Sequence, residues 1–147
     1  MRAISYVDNM EVWKDSFSFS IPIKIRFSET DMFGHVNNVS PFIYFEQARI
    51  EFLKSVGLFR TEATEDTGIP VVADLQCDYL QQMYFNEDLS MFVKANHVGN
   101  TSIDIHYMGV VDGNIAITGR GRLVYVHPKT GRPVPISEEI KKALMTT

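Results

Sequence analysis

The chain predicts an α+β fold on three observations. An alternating apolar segment stands near its start, one long helical segment follows, and further alternating segments divided by turn residues fill most of the remainder. Strand, long helix, then a run of strands is most simply an antiparallel sheet packed against a single helix.

Each element rests on its own pattern. From residue 17 to residue 27 the chain reads FSFSIPIKIRF, with Phe17, Phe19, Ile21, Ile23, Ile25 and Phe27 apolar at every second position, which is a half-buried strand. Pro22 lacks a donor for a ladder, so it predicts an edge strand or a bulge. A helix then starts at Ser40-Pro41, Ser as N-cap and Pro at the first helical position, and stops at Gly57. At about 100° per residue, Phe42, Ile43, Phe45, Ala48, Ile50, Phe52, Leu53 and Val56 share one face, while Tyr44, Gln47, Glu51, Lys54 and Ser55 fall opposite. A shorter strand is predicted over 71–75, reaching towards Tyr79. Leu89, Met91, Val93 and Ala95 mark the next, Ile103, Ile105 and Tyr107 another, and residues 115–126 a last one, with turns at Gly99-Asn100, Asp112-Gly113 and 128–131. The closing SEEIKKALM reads as a short capped helix with acids in its first turn.

Composition narrows the class of function. A length of 147 residues suits one domain, and 45% hydrophobic with 22% charged residues is the balance of a soluble globular protein. A net charge of −4 without any Lys/Arg run argues against general nucleic-acid binding, although a local basic patch for a phosphate-bearing ligand stays open. Cys77 is the one cysteine, so no intrachain disulfide is expected. The first residues lack the apolar stretch of a signal peptide, and no segment approaches the roughly 18 apolar residues of a membrane span. A cytoplasmic protein without membrane attachment is the expectation.

The chemistry-bearing residues crowd into ETDMFGHVNN, residues 29–38, between the first strand and the helix. Gly34 permits a turn, and Asn37 and Asn38 suit capping or left-handed conformations, so a well-made connector accounts for them and for Thr30; Glu29 reads as solvated. Asp31 has two readings. It caps the turn, or it stands beside a helix N-terminus that favours developing negative charge and acts there as general base or nucleophile in acyl transfer. His35 either orients a substrate carbonyl or is a hydrogen-bonded structural residue. No third ligand at a recognisable spacing joins Asp31 and His35, so no metal is expected. Glu46 and Arg49, three residues apart and opposite in charge, project near the middle of the apolar helix face. They form either a structural ion pair, in the core or at a subunit interface, or a pocket carboxylate positioned by its arginine. Gly119-Arg120-Gly121 inside a strand marks a bulge or the close approach of another chain or ligand. Without a GxSxG elbow or an activated cysteine, serine- or cysteine-based acyl transfer is disfavoured.

Asp31-x-x-Gly34-His35-Val36-Asn37-Asn38 followed by Tyr44-Phe45-Glu46-x-Ala48-Arg49 resembles the signature of hot-dog-fold acyl-CoA thioesterases of the 4-hydroxybenzoyl-CoA thioesterase type. The HVNN portion is also similar to that of acyl-ACP thioesterases. The resemblance implies a curved antiparallel sheet wrapped around one long central helix, in a single hot-dog domain over residues 1–147. It implies homodimers with active sites at the interface, and homotetramers as pairs of dimers. Asp31 would be the catalytic carboxylate, as general base or as nucleophile through an acyl anhydride. The thioester carbonyl would be polarised by backbone N–H around Asn38, and His35, Asn37, Asn38 and Glu46 would form the surroundings that position the substrate. No cofactor is implied, and the partner is an acyl-CoA substrate. Acyl-ACP hydrolysis and a non-catalytic acyl-CoA-binding module are the alternatives. One departure is Pro41, where many relatives carry a tyrosine; it leaves the shape of the acyl pocket open.

Overall fold

A computed structural model describes residues 3–58 and 68–147. Strands β1 (Phe19–Lys24), β2 (Ile69–Tyr79), β3 (Asp88–Val98), β4 (Ser102–Val111) and β5 (Asn114–Val126) make one antiparallel sheet in the order β1-β3-β4-β5-β2. Helices α1 (Met10–Asp15), α2 (Ser40–Ser55) and α3 (Glu138–Thr146) accompany it. A long helix against an antiparallel sheet is the α+β hot-dog arrangement expected from the sequence. No helix among the described residues is long and apolar enough to cross a membrane.

The predicted first strand is shortened at both ends. Phe17 packs with Trp13 on the outer side of the sheet before the ladder begins, and after Lys24 the chain leaves the sheet and makes a 3-10 turn, Phe27–Glu29. Alternation of apolar residues thus outlasts the strand: Phe17 is buried against Trp13, whereas Phe27 is largely exposed and meets the Phe85 ring edge to face. Pro22 lies on an outer strand, as its missing donor requires. Between β4 and β5, Asp112 and Gly113 take positive φ values of 50° and 77°, a two-residue hairpin turn of the mirror-image kind that suits the twist of its strands.

The long helix ends as predicted. Gly57 has φ +80°, its amide donates to the Lys54 carbonyl and the Leu58 amide donates to that of Leu53, so two otherwise orphaned carbonyls are satisfied. Its start differs from expectation: Ser40 is the first helical residue and Val39 takes the N-cap position, with no capping bond of its own. The helical wheel also needs correction. Tyr44, placed on the polar side, is buried, whereas Ile43 is exposed. The reason is tertiary, because a buried carboxylate receives the Tyr44 hydroxyl.

The inner face of the sheet meets α2 through Phe45, Ala48 and Phe52, all fully buried with Met91, Val93, Ile105 and Tyr107. Phe45 stacks on Tyr107 with ring centres 4.5 Å apart. Gly119 makes this approach possible: a Cβ there would lie 2.6 Å from the Phe45 ring. Gly121 likewise admits β2, since its Cβ would lie 2.7 Å from the Asp74 carbonyl oxygen. The chain's own helix and strand are therefore close neighbours of these glycines.

On the outer face, the N-terminal segment and α1 cover Met108 with Trp13 and Phe17, and the Trp13 indole donates to His106 Nδ1 at 2.9 Å. This strap did not show in the hydrophobic pattern, because six residues are too few for periodicity. Its local signals are the cap Asn9, whose side chain accepts from the Val12 amide, with Glu11 in the first turn and Lys14 in the last.

Candidate active site in the turn before the central helix

The connector from β1 to α2 is built around Glu29, which is buried rather than solvated. One carboxylate oxygen accepts from the Arg26 amide at 2.8 Å and the Tyr44 hydroxyl at 3.0 Å; the other accepts from the Arg26 guanidinium at 3.0 and 3.2 Å. Burial alone would raise its pKa, but the Arg26 amide and guanidinium and the Tyr44 hydroxyl outweigh that and hold it below the usual carboxylate value. The same burial and contact push the Tyr44 phenol up. The Arg26-x-x-Glu29 spacing was the available signal, and it shows only once the 3-10 turn brings the two residues together.

From this anchor the chain folds back on itself. Thr30 bridges Val36, the Asp31 amide donates to the His35 carbonyl at 2.7 Å, and the Gly34 amide donates to the Asp31 carbonyl at 3.0 Å. Gly34 is required by its φ of +79°. Asp31 Oδ1 accepts from the Phe33 and His35 amides at 2.9 and 3.2 Å. The capping reading of Asp31 is thus realised inside its own turn, by one oxygen; Oδ2 takes no bond among the described residues. The His35 ring meets that of Tyr84 edge to face, with centres 4.9 Å apart.

Asn37 serves the helix start from two residues before the N-cap position. Its Oδ1 accepts from the Val39 amide at 2.9 Å and the Ser40 amide at 3.0 Å, while its own amide donates to the Glu29 carbonyl at 2.9 Å. This bonding leaves few donors at the start of α2. Val39 and Ser40 are engaged, Pro41 has no N–H, and the Phe42 amide donates to the Val39 carbonyl. Asn38 is the exception: its amide has no partner among the described residues, while its carbonyl accepts from the Tyr79 hydroxyl.

Asp31, His35 and Asn38 line one cleft of about 520 Å³, together with Val36, Pro41, Tyr79, Leu80, Gln81, Gln82, Met83 and Ile117. Three of the residues singled out in the sequence therefore meet at one opening. Asn37 does not line it, because its side chain faces the helix amides. Glu46 does not line it either. Its side chain is 62% exposed and stands 3.9 Å from the guanidinium of Arg49, whose side chain is 9% exposed and donates to the Tyr107 hydroxyl at 3.1 Å. The expected pair in the middle of the apolar face is thus half right: the arginine is buried and the glutamate is not. Tyr79, Gln81 and Gln82 were not foreseen, since only strand pairing brings them beside the turn. No cluster of three or more His, Cys, Asp or Glu that could hold a metal ion occurs among the described residues.

Asp31, with one uncommitted carboxylate oxygen, and Asn38, with an unpaired amide, line the same cleft, and these two groups are of the kind that attack on a carbonyl group needs. The model of the thioesterase-like superfamily matches residues 25–144. The chain belongs to this superfamily. The matched stretch includes the turn, the central helix and all the strands after it. Within reach of the superfamily, the chain is 42% identical to YsmA, an uncharacterised protein of Bacillus subtilis, over all of this chain and 99% of that one. Among solved structures, it is similar to a protein of Bacillus stearothermophilus described as a predicted thioesterase, with 31% identity, a TM-score of 0.77, and coverage of 87% of this chain and 94% of the other. It is also similar to a thioesterase of Thermus thermophilus solved with coenzyme A and zinc, at 27% identity and TM-score 0.77, covering 90% and 95% of the two chains.

Proposed function

We propose that this chain is a thioester hydrolase acting on an acyl-CoA, of the 4-hydroxybenzoyl-CoA thioesterase type, with residues 1–147 working as one hot-dog domain. The observation that carries the reading is that Asp31, with one carboxylate oxygen unbonded, and Asn38, with its amide unbonded, line one cleft. Asp31 Oδ2 takes a proton from water as the water oxygen attacks the thioester carbon, or attacks that carbon itself to form an acyl anhydride that water then cleaves. In either route the carbonyl oxygen becomes an oxyanion that accepts from the Asn38 amide, and its collapse breaks the carbon–sulfur bond and expels CoA thiolate. In the first route the acid forms at that step and the thiolate takes the proton held by Asp31; in the second the thiolate takes a proton from water, and the acid is released when water cleaves the anhydride. His35 orients the substrate from the cleft wall. Asn37 holds the helix start, and Glu46, outside the cleft of a single chain, has a place near substrate only across a subunit interface.

The sheet edges support a reading of the assembly. β1 is short and carries Pro22, whereas β2 presents an open edge from Ile69 to Tyr79 with Val71 38% and Val72 46% exposed. Two copies joining sheets along β2 form the homodimer, and Tyr79 at the end of that strand puts the cleft beside the junction. Pairs of such dimers make the homotetramer.

The test is thiol release from a panel of CoA thioesters and the matching acyl-ACP substrates, with Asp31→Asn as control. Turnover of CoA thioesters that collapses in Asp31→Asn supports the reading. Preference for the carrier protein moves the assignment to acyl-ACP, and binding without turnover on any substrate leaves a non-catalytic module.

A further inference from the structure

The strand that ends at Tyr79 carries a contact that the sequence did not reveal. The Tyr79 hydroxyl donates to the carbonyl of Asn38, across 41 residues of chain, and both residues line the cleft. On the other side of Asn38, the Asn37 carbonyl accepts from the Ser40 amide at 3.3 Å, and the next amide, that of Val39, donates to Asn37 Oδ1. Every backbone polar group around Asn38 is therefore tied down except its own N–H. A peptide unit fixed on both flanks presents that donor in one direction, which is what preorganised stabilisation of an oxyanion needs.

We propose that Tyr79 is a positioning residue of the active site: its hydroxyl holds the Asn38–Val39 peptide unit, which adjoins the Asn37–Asn38 unit carrying the Asn38 amide, so that this amide is aimed at the substrate carbonyl. This rests on the thioester hydrolase reading above. The flanking bonds within 37–40 are local and belong to the turn itself, but the Tyr79 contact couples the turn to β2. It also sets the distance between the helix start and the strand edge across the cleft. Burial, with the neighbouring Cys77 adding to it, pushes the phenol up to about 12, so the hydroxyl remains a proton donor throughout the neutral range. Phenylalanine keeps the ring and removes the donor, and Tyr79 is partly exposed at a strand end, so Tyr79→Phe leaves the packing of the sheet in place.

The experiment compares wild type and Tyr79→Phe on the best thioester of the panel and, in parallel, reads the 13C resonance of the Asn38 carbonyl by NMR. Loss of one hydrogen bond that acts on the transition state lowers kcat by about five- to tenfold while KM stays within about twofold. The Asn38 carbonyl resonance moves upfield as its acceptor role is lost, with resonances of the core strands unchanged. An active wild type whose Tyr79→Phe form keeps its kcat, or changes only KM or melting temperature, overturns the positioning role, as does an unmoved Asn38 carbonyl resonance. A wild type without turnover on any thioester overturns the hydrolase reading itself, and with it the purpose assigned to Tyr79.

Discussion

Asp31 uses Oδ1 to hold its turn through the Phe33 and His35 amides and leaves Oδ2 outside that bonding. Asparagine keeps an Oδ1 acceptor and loses the carboxylate, so Asp31→Asn separates the two duties. The variant is expected to melt as the wild type does and to lose about 10²–10⁴ in turnover, the usual contribution of a positioned base; near-native turnover in a folded Asp31→Asn protein removes Asp31 from the mechanism. Glu29 has the complementary part, structural rather than chemical, because both of its oxygens are occupied by Arg26 and Tyr44. Glu29→Gln replaces a charged acceptor with a neutral amide that can serve only part of that set, at a cost of about 1–3 kcal/mol in urea denaturation at neutral pH. Its folded pKa lies below the ordinary value of 4.5, so its stabilisation is complete above that pH and disappears as acid carries the solution through the lower folded value. A Glu29→Gln protein as stable as wild type at pH 7 contradicts this account.

Among the elements, β2 differs most from what its sequence pattern implies. The sequence predicts a short strand over 71–75 reaching towards Tyr79, but β2 runs all the way from Ile69 to Tyr79, at the margin of the sheet, and leaves Val71 and Val72 exposed. An open apolar edge of this length is a site for pairing with another chain. Val72→Lys puts a charge on that edge, and analytical ultracentrifugation is expected to show a dimer for wild type and a monomer for the variant, with turnover lost along with the dimer. An unchanged dimer in Val72→Lys moves the interface elsewhere. In α2, by contrast, the two ends of the helix have different sources. Gly57 and the local chain close the C-terminus, while the N-terminus depends on Asn37 and on Glu29, which reach it only through the folded turn.

At the scale of the molecule, the sheet has two unlike faces. The inner face is an apolar core around α2, and the outer face combines the N-terminal strap with a polar network in which Trp13 donates to His106 Nδ1. His106 Nε2 stands 3.2 Å from Asp104, which also receives Arg120 at 2.6 Å. With the indole N–H on Nδ1, the imidazole is neutral and its proton sits on Nε2. Burial lowers its pKa from 6.5 to about 4; Asp104 opposes the shift, while Lys94 and Arg120 reinforce it. The unfolded chain therefore takes up a proton below pH 6.5 that the folded chain refuses until about pH 4. Stability falls across that window by about 3 kcal/mol and this contribution is constant outside it. Thermal denaturation followed from pH 7 to pH 4 is expected to show a steeper decline in wild type than in His106→Gln; parallel profiles rule out His106 as the cause.

The sequence alone determined the α+β class, the long helix with its glycine stop, the four later strands in order, and the placing of Asp31, His35 and Asn38 in one turn. These were legible because each is a local property: alternation along a strand, a cap or a stop at a helix end, several small polar residues within ten positions. Only the tertiary structure decided that Glu29 is buried and Glu46 is not, that Tyr44 turns inward, that Gly119 seats Phe45, and that Tyr79 reaches Asn38. The contacts of Tyr44 with Glu29, Gly119 with Phe45 and Tyr79 with Asn38 join groups distant in the chain, and they are set by sheet order and by the packing of α2. A helical wheel or a strand pattern ranks residues by polarity, but it carries no information about which polar partner waits across the core. That partner decides whether a carboxylate or a phenol can leave water, because a buried polar group is tolerated only where its hydrogen bonds are made.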